Sequence, residues 1–446
     1  MTQKDKDLAR KTLEIIRSKG CKEARVTLSA SNQSSYSVRN EKLDRLQQAN
    51  SLSLYIQLFT DERYGSFSTN RTEERELDRF ISEAIKITKV ISPDPDRTLP
   101  KSSLYYKGEE LDLGQFDKSY PLIEPQQKIE LAHKSAEEIF NKDPRILSVN
   151  CEFGDVDERL LILDSQGFEG VSKQTLFSLS AECSVKGKGD ARPEGWWHES
   201  SLFFDKLESS GVAKEAHRRA ISRLNPKKLK SGRYNMVIEN IVSSRVVAPI
   251  ISALNGASIQ QNNSFLKGKL GERVFSPMFQ LFDTPHKYGA YGSRVFDGEG
   301  IATKPMNIIE NGVVNTYFIN TYYSNKLKMN NTIEGPSVPS CSLSSTPGVY
   351  GETLSLEDIL RRAERGILIT GFNGGNSNSS TGDFSYGVNG HYFENGVLLH
   401  PVKEMNITGN IVTLWNNIVA IGTDPRSSGR WLIPTLAFEN VNFSGI

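Results

Sequence analysis

Hydrophobic positions along the first hundred residues recur with two different periods. Ala9, Leu13 and Ile16 fall at i, i+4 and i+7, which predicts an amphipathic helix closed by Gly20. Val26, Leu28 and Ala30, and later Leu52, Leu54, Ile56 and Leu58, alternate with polar residues and predict strands with one buried face. Between these strands "YSVRNEKLDRL" reads as a hairpin. Asn70 and Glu73 have capping-box spacing and predict a second helix whose buried stripe is Leu77, Ile81, Ala84 and Thr88. "SPDPDRTLP" ends it, because proline cannot continue a helix and restricts the residue before it.

The same order then returns. Pro125 suits a first helical turn, with Ile129, Ala132, Ala136 and Ile139 as the inner face. "ILSVNCEF" is expected to bury Leu147, Val149, Cys151 and Phe153, and "LFSLSAECSV" to bury Phe177, Leu179, Ala181 and Cys183. Val212, Ala216 and Ala220 mark a fourth helix, and "LNPKKLKSG" reads as a linker. Two helix–meander–helix units in succession predict an α+β fold with helices packed on antiparallel sheet.

Beyond Gly232 the pattern changes to short strands, tight turns and glycine. Helices are expected only near Val242–Leu254 and Leu356–Arg365. "IIENGVV" and "YFENGVL" each place Asn-Gly where a two-residue type I′ turn needs positive φ. The C-terminal half is thus expected to be mostly antiparallel β with few helices. Three units are expected: an N-terminal α+β unit (1–100), a central α+β unit (101–225) and a C-terminal β-rich domain (226–446).

Composition narrows the function. The chain has 446 residues with 54 basic and 53 acidic side chains, a net charge of +1 that gives no footprint for direct nucleic-acid binding. No apolar run is long enough for a membrane span and the first residues have no apolar signal core, so a cytoplasmic location is expected. Cys21, Cys151, Cys183 and Cys341 lie far apart with no CxxC pair, which argues against a zinc knuckle or disulfide framework. The six histidines show no HExxH spacing, and no GxSxG elbow, Walker loop or dinucleotide fingerprint is present.

One stretch stands out: "GGNSNSSTGDFSYGVNG", residues 374–390. Its single acid, Asp383, is too few for a calcium loop, and no helix follows to form a phosphate cradle. Two readings remain: glycines placed for positive φ and close backbone approach, or a wall lining a substrate. A ligand set of His391, His400 and Asp383 from the following hairpin is a further arrangement, resting on arbitrary spacing.

From this stretch through "HYFENGVLLHPVKEMNITGN", "NIVAIGTDP" and "PTLAFENVNFSG", the chain closely resembles the TldD/PmbA family, also called modulator of DNA gyrase. "NNSFLKGKLGERVFSP" and "DGEGIATKPMNIIENGVV" resemble that family's central signatures. The resemblance implies a two-part cytoplasmic metallopeptidase acting on unfolded peptide. One subunit type carries HExxxH on a helix, with zinc binding completed by a cysteine near the C-terminus; the other lacks these ligands and pairs with it. Here the corresponding window is about Val247 to Ser252, "VAPIIS", with Val247 and Ser252 in place of the histidines and Ala248 in place of the glutamate. "GTDPRSSGRWLIP" holds no cysteine, and Pro249 disfavours an uninterrupted helix. A hydrolytic zinc site needs about three protein ligands and a base. The chain therefore resembles the non-catalytic PmbA/TldE type, binding no cofactor itself, with zinc expected in a TldD-type partner. In that picture Asn376, Thr381, Asp383 and Ser385 line the peptide chamber. A two-fold homodimer, and a regulatory contact with DNA gyrase, are the other partner expectations.

Overall fold

The computed structural model describes residues 1–108, 111–342 and 354–445. Its first half is one antiparallel sheet in the order β3-β2-β1-β4-β5-β6, formed by β1 (Glu23–Arg39), β2 (Lys42–Thr60), β3 (Arg63–Thr69), β4 (Ile146–Asp164), β5 (Glu169–Val185) and β6 (Glu194–Ser201). The central strands run 17 to 19 residues, about 55 Å or more at roughly 3.3 Å per residue. Such length lets one sheet face carry two cores. At one end α1 (Gln3–Ser18) and α2 (Glu74–Thr88) cover Val26, Leu28, Ile56 and Leu161. At the other, α3 (Pro125–Glu137) and α4 (Val212–Ser222) cover Tyr36, Val38, Phe153 and Leu179.

Between the two cores the sheet turns polar. Lys128 on α3 reaches Asp155 on β4 at 2.8 Å with both side chains buried, and Tyr120 and Ser34 each donate a hydroxyl to the same carboxylate at 2.6 Å. A buried carboxylate is tolerated only when its charge and lone pairs are met in this way.

Two local expectations are corrected. The second helix has Glu73 as its N-cap, without a side-chain cap bond, so Asn70 forms no capping box. The chain remains extended into Glu73, and the Arg71 amide is taken by Thr69 Oγ1 at 3.0 Å; Glu74 and Glu76 serve the positive helix end instead. Leu147 is 44% exposed, although Val149, Cys151 and Phe153 are fully buried. A β-bulge between Ile146 and Ser148 reverses the alternation before it reaches Leu147.

The second half follows a linker that is itself fastened down. The Lys227 amide donates to Pro401 O, and Lys227 O accepts from the Lys403 amide, both at 3.0 Å. Here β7 (Gly232–Ile238) leads into α5 (Ser244–Ala253) and α6 (Gly256–Gln260). A four-stranded sheet in the order β10-β9-β8-β11 comes from β8 (Gln280–Asp283), β9 (Met306–Glu310), β10 (Val313–Val314) and β11 (Pro339–Ser342), with α7 (Thr321–Leu327) between the last two. After α8 (Leu356–Arg362) come β12 (Arg365–Ser377), β13 (Asp383–Glu394), β14 (Val397–Pro401), β15 (Met405–Asn410), α9 (Ile411–Asn416), β16 (Ile418–Ile421) and β17 (Leu436–Ser444).

The order β12-β7-β17-β15-β13 is closed by pairing of β12 with β13, so these strands form a ring. Its inner face (Ile238, Ile369, Tyr386, Ile407, Phe438) packs on α5 and α9 in the largest core. Leu368, Phe393 and Ala437 face outward under α8. The α+β class is as expected, and both Asn-Gly turns have positive φ at Asn311, Gly312, Asn395 and Gly396. The two expected C-terminal helices are present. Three short ones were not visible as periodicity: α6, α7 and α9 have five to seven residues, and each starts at an asparagine N-cap, Asn255, Asn320 or Asn410.

Candidate functional site

Helix α5 is the centre of the candidate site. It runs unbroken through Pro249, contrary to the expectation of an interruption. Proline removes the bond to the carbonyl four residues back and crowds that turn. The bond lost is the one to Arg245 O; packing holds the helix instead, with Pro249 and Ile250 buried in the core and Trp415 of α9 donating its indole N–H to the neighbouring Val246 O at 3.0 Å. Val247 is completely buried, while Ala248 and Ser252 are exposed, with Arg245 on the same helical face. Neither valine nor alanine can ligate a metal or take a proton. The residues present do not fit a zinc ion.

The cysteine-free loop "GTDPRSSGRWLIP", where the resemblance leads one to expect a zinc-binding cysteine, lies beside the start of α5. Asn240 donates to Asp424 O at 2.6 Å, and Ser243 donates to Ile433 O at 3.0 Å. Its outer part is tied to the N-terminal sheet. Arg426 donates to His198 O at 2.6 Å and pairs with Glu199 at 3.0 Å, while Ser200 donates to Ser428 O at 2.6 Å. The Trp197 ring is sandwiched between Arg426 and Arg219, at 4.2 and 4.3 Å. Burial and the nearby Arg426 charge push His198 down to about 4, so it is neutral. The loop is braced by arginines.

The glycine-rich stretch forms the end of β12, a tight tip and the start of β13. Gly375 has φ +86, and a Cβ there would stand 1.9 Å from Ser385 O, so the close backbone approach requires glycine. Arg245 of α5 donates to Gly375 O at 2.8 Å and lies 4.8 Å from the Tyr386 ring, joining helix and hairpin. Sequence reasoning missed Arg245, because its partner is 130 residues away and no local signal marks it.

The four substrate-wall candidates come together at this end of the ring. Asn376 and Ser385 are cross-strand partners, and Thr381 donates its hydroxyl to Asp383 at 2.7 Å. All four are exposed, on the outer side of the ring, whereas Phe384 and Tyr386 face α5. The set His391, His400 and Asp383 is not assembled. His391 lies eight residues along β13 from Asp383, about 27 Å at ~3.4 Å per residue, and bonds Ser222 O through Nε2 at 2.9 Å. His400 stacks on Tyr392 instead. Among the described residues, no group of three or more His, Cys, Asp or Glu is placed to hold a metal. All four cysteines are free and buried, and burial alone pushes the Cys341 thiol far up.

Comparison with known proteins now decides the family. Three models match in order: PmbA/TldA metallopeptidase domain 1 over residues 24–88, the central domain over 118–224 and the C-terminal domain over 231–445. The chain belongs to the PmbA/TldD metallopeptidase family. Within that family it is 28% identical to the metalloprotease PmbA homolog of Haemophilus influenzae, covering 92% of this chain and 90% of the relative. It is 26% identical to metalloprotease PmbA of Escherichia coli O157:H7, covering 90% and 87%. A crystal structure from Bacteroides thetaiotaomicron, of a proposed modulator of DNA gyrase, is 45% identical and covers both chains fully with a TM-score of 0.95. TldE from Thermococcus kodakarensis shares the fold at 20% identity, with a TM-score of 0.83 over 99% of each chain. Other PmbA/TldD relatives include a metalloprotease TldD homolog of Buchnera aphidicola, 22% identical over 67% of this chain. No helix among the described residues is long and apolar enough to cross a membrane.

Proposed function

We propose that the chain is the metal-free component of a two-subunit cytoplasmic PmbA/TldD-type metallopeptidase, pairing with an HExxxH-bearing relative that supplies zinc. The observation that carries this reading is α5 itself. Val247 is packed in the core and Ala248 and Ser252 follow it, where a catalytic relative would need two ligands and a base. The adjoining loop lends support, since its cysteine-free span is committed to bracing contacts through Asp424, Arg426 and Ser428.

In this reading the chain contributes binding surface for an unfolded peptide. The outer polar face at Asn376, Thr381, Asp383 and Ser385, beside the edge of β12 that β7 leaves unpaired beyond Ile369, suits an extended backbone that needs hydrogen bonds more than a shaped pocket. To test the reading, the chain is purified alone and with the HExxxH-bearing relative from the same cell, and zinc content and cleavage of unfolded casein are measured. Cleavage and one zinc per pair, with neither in the isolated chain, is the expected result. Stoichiometric zinc and cleavage by the chain alone would overturn it.

A further inference from the structure

A cavity of about 300 Å³ lies between the C-terminal end of α4 and strands β12 to β14, at the small end of the ~300–1,000 Å³ usual for ligand pockets. Arg223, His391 and Thr370 line its polar side, and Leu356, Leu398 and Leu399 its apolar side. Leu398 and Leu399 are 42% and 52% exposed, an unusual pair to leave open on an edge strand.

His391 is only 8% exposed and has one partner. Its Nε2 faces Ser222 O at 2.9 Å, and a carbonyl can only accept, so Nε2 carries the proton. Nδ1 is then a lone pair, buried and without a partner among the described residues. A buried acceptor left unmet is costly, which favours a ligand that brings a donor.

Arg223 supplies the complementary group. Its Nη1 donates to Glu194 O at 2.7 Å, while Nη2 lies over Gly371. Neighbouring Arg218 and Arg219 are neutralised by Glu215 and Glu239, and no carboxylate among the described residues pairs with Arg223. Burial first, then the repulsion of Arg219, oppose the Arg223 charge more than the Glu194 carboxylate supports it, so an incoming anion relieves a standing cost. The cavity thus asks for one negative charge, one hydrogen-bond donor and an aliphatic body.

The end of a peptide chain offers these three together. We propose that this cavity binds the C-terminal residue of a peptide, its carboxylate on Arg223, its backbone N–H on His391 Nδ1 and an aliphatic side chain against Leu398 and Leu399. The ligand class rests on the peptide-handling reading above. The rest of the peptide has a path along β13, where Asn389, Ser385 and Asp383 share the outward side with His391 at the strand period of two. The cavity and the four wall candidates become two ends of one track.

The test uses the full chain and three probes: N-acetyl-Ala-Leu, its C-terminal amide and free leucine, titrated by calorimetry. The acid is expected to bind at least about tenfold tighter than the amide, the scale of a charge-assisted hydrogen bond. Arg223→Gln should erase that preference. His391→Gln, whose amide can still donate to Ser222 O, should weaken acid and amide alike while leaving thermal stability near wild type. Equal binding of acid and amide, an acid preference that survives Arg223→Gln, or binding of leucine with exclusion of the peptide acid would each overturn the proposal. Casein cleavage by the chain with its HExxxH-bearing partner separates the two readings. Cleavage without any acid-over-amide preference removes the cavity's role and leaves the subunit reading. Failure of the wild-type pair to cleave removes the subunit reading, while acid-over-amide binding would still uphold the cavity.

Discussion

Asn410 donates its amide to Asp383 Oδ1 at 2.9 Å and to Thr381 O at 2.8 Å, while its own carbonyl oxygen accepts from the Val412 amide at the start of α9. One side chain thereby ties the glycine-rich tip to a helix N-terminus. Asn410→Ala should cost about 1 kcal/mol as a lost cap, and hydrogen exchange at residues 378–383 should quicken while β7 and β17 keep their protection. Equal quickening throughout would mean the link is not local. The same bonds from Asn410 and Thr381 hold the Asp383 carboxyl below its ordinary value. Its stabilising contribution is therefore present above the usual carboxylate range and is lost as pH falls through the lowered pKa. In Asn410→Ala, an NMR titration should find that pKa moved back up.

The Lys128–Asp155 pair fills the polar gap between the two cores of the long sheet. Lys128→Met leaves a buried carboxylate uncompensated and should destabilise the chain by about 3–5 kcal/mol in denaturant unfolding. Adding Asp155→Asn removes the orphaned charge, and the double variant should recover more than half of the loss. A single variant within about 1 kcal/mol of wild type would show that water already reaches the pair.

Writing an HExxxH motif into α5 should fail for a packing reason. Val247 is fully buried, so Val247→His puts an imidazole into the main core at a cost of about 3 kcal/mol or more. Ala248→Glu with Ser252→His, on the exposed side, should stay within about 1 kcal/mol of wild type. The triple variant is expected to hold less than about 0.1 zinc per chain, because the adjoining loop has no cysteine and its one carboxylate, Asp424, is held by Thr435 and Asn240. Metal analysis after dialysis checks this, and one zinc per chain would refute it.

Asp297 carries a pH signature. Burial first, then the nearby Glu334 and Glu299 carboxylates, push its pKa up to about 7, and its Oδ2 has no hydrogen-bond partner among the described residues. Between the ordinary carboxylate value and about 7 the folded chain holds a proton that the unfolded chain has released, so stability falls as pH rises through this window and levels off above it. Asp297→Asn keeps an oxygen for the Glu299 and Ile301 amides at 2.9 and 3.0 Å. It should flatten that slope and gain on the order of a few kcal/mol at pH 8 relative to pH 4. Melting curves at both pH values measure the difference.

Local patterning carried much of the architecture. Helical stripes such as Ala9, Leu13 and Ile16 and alternating runs such as Phe177 to Cys183 are buried, and both Asn-Gly turns are in positive φ, as their patterns require. These features are legible because side-chain direction repeats every 3.6 or 2 residues, and because Asn-Gly suits a backbone that most residues avoid. The bulge at Leu147 escaped, since one inserted residue reverses the alternation without changing composition. The asparagine-capped helices escaped because one or two turns show no period.

The candidate site divides in the same way. The absence of ligands at Val247, Ala248 and Ser252, and the odd composition of residues 374–390, are chemical facts that any folding of the chain must accept. Packing of α5 and α9 against the strand ring sets Arg245 on Gly375 and Trp415 under Val246, and contact of β13 with the end of α4 leaves His391 beside Arg223 with one nitrogen unmet among the described residues. Those partners are 130 to 169 residues apart or come from different sheets and helices, so their meeting depends on strand register and core packing rather than on any local pattern.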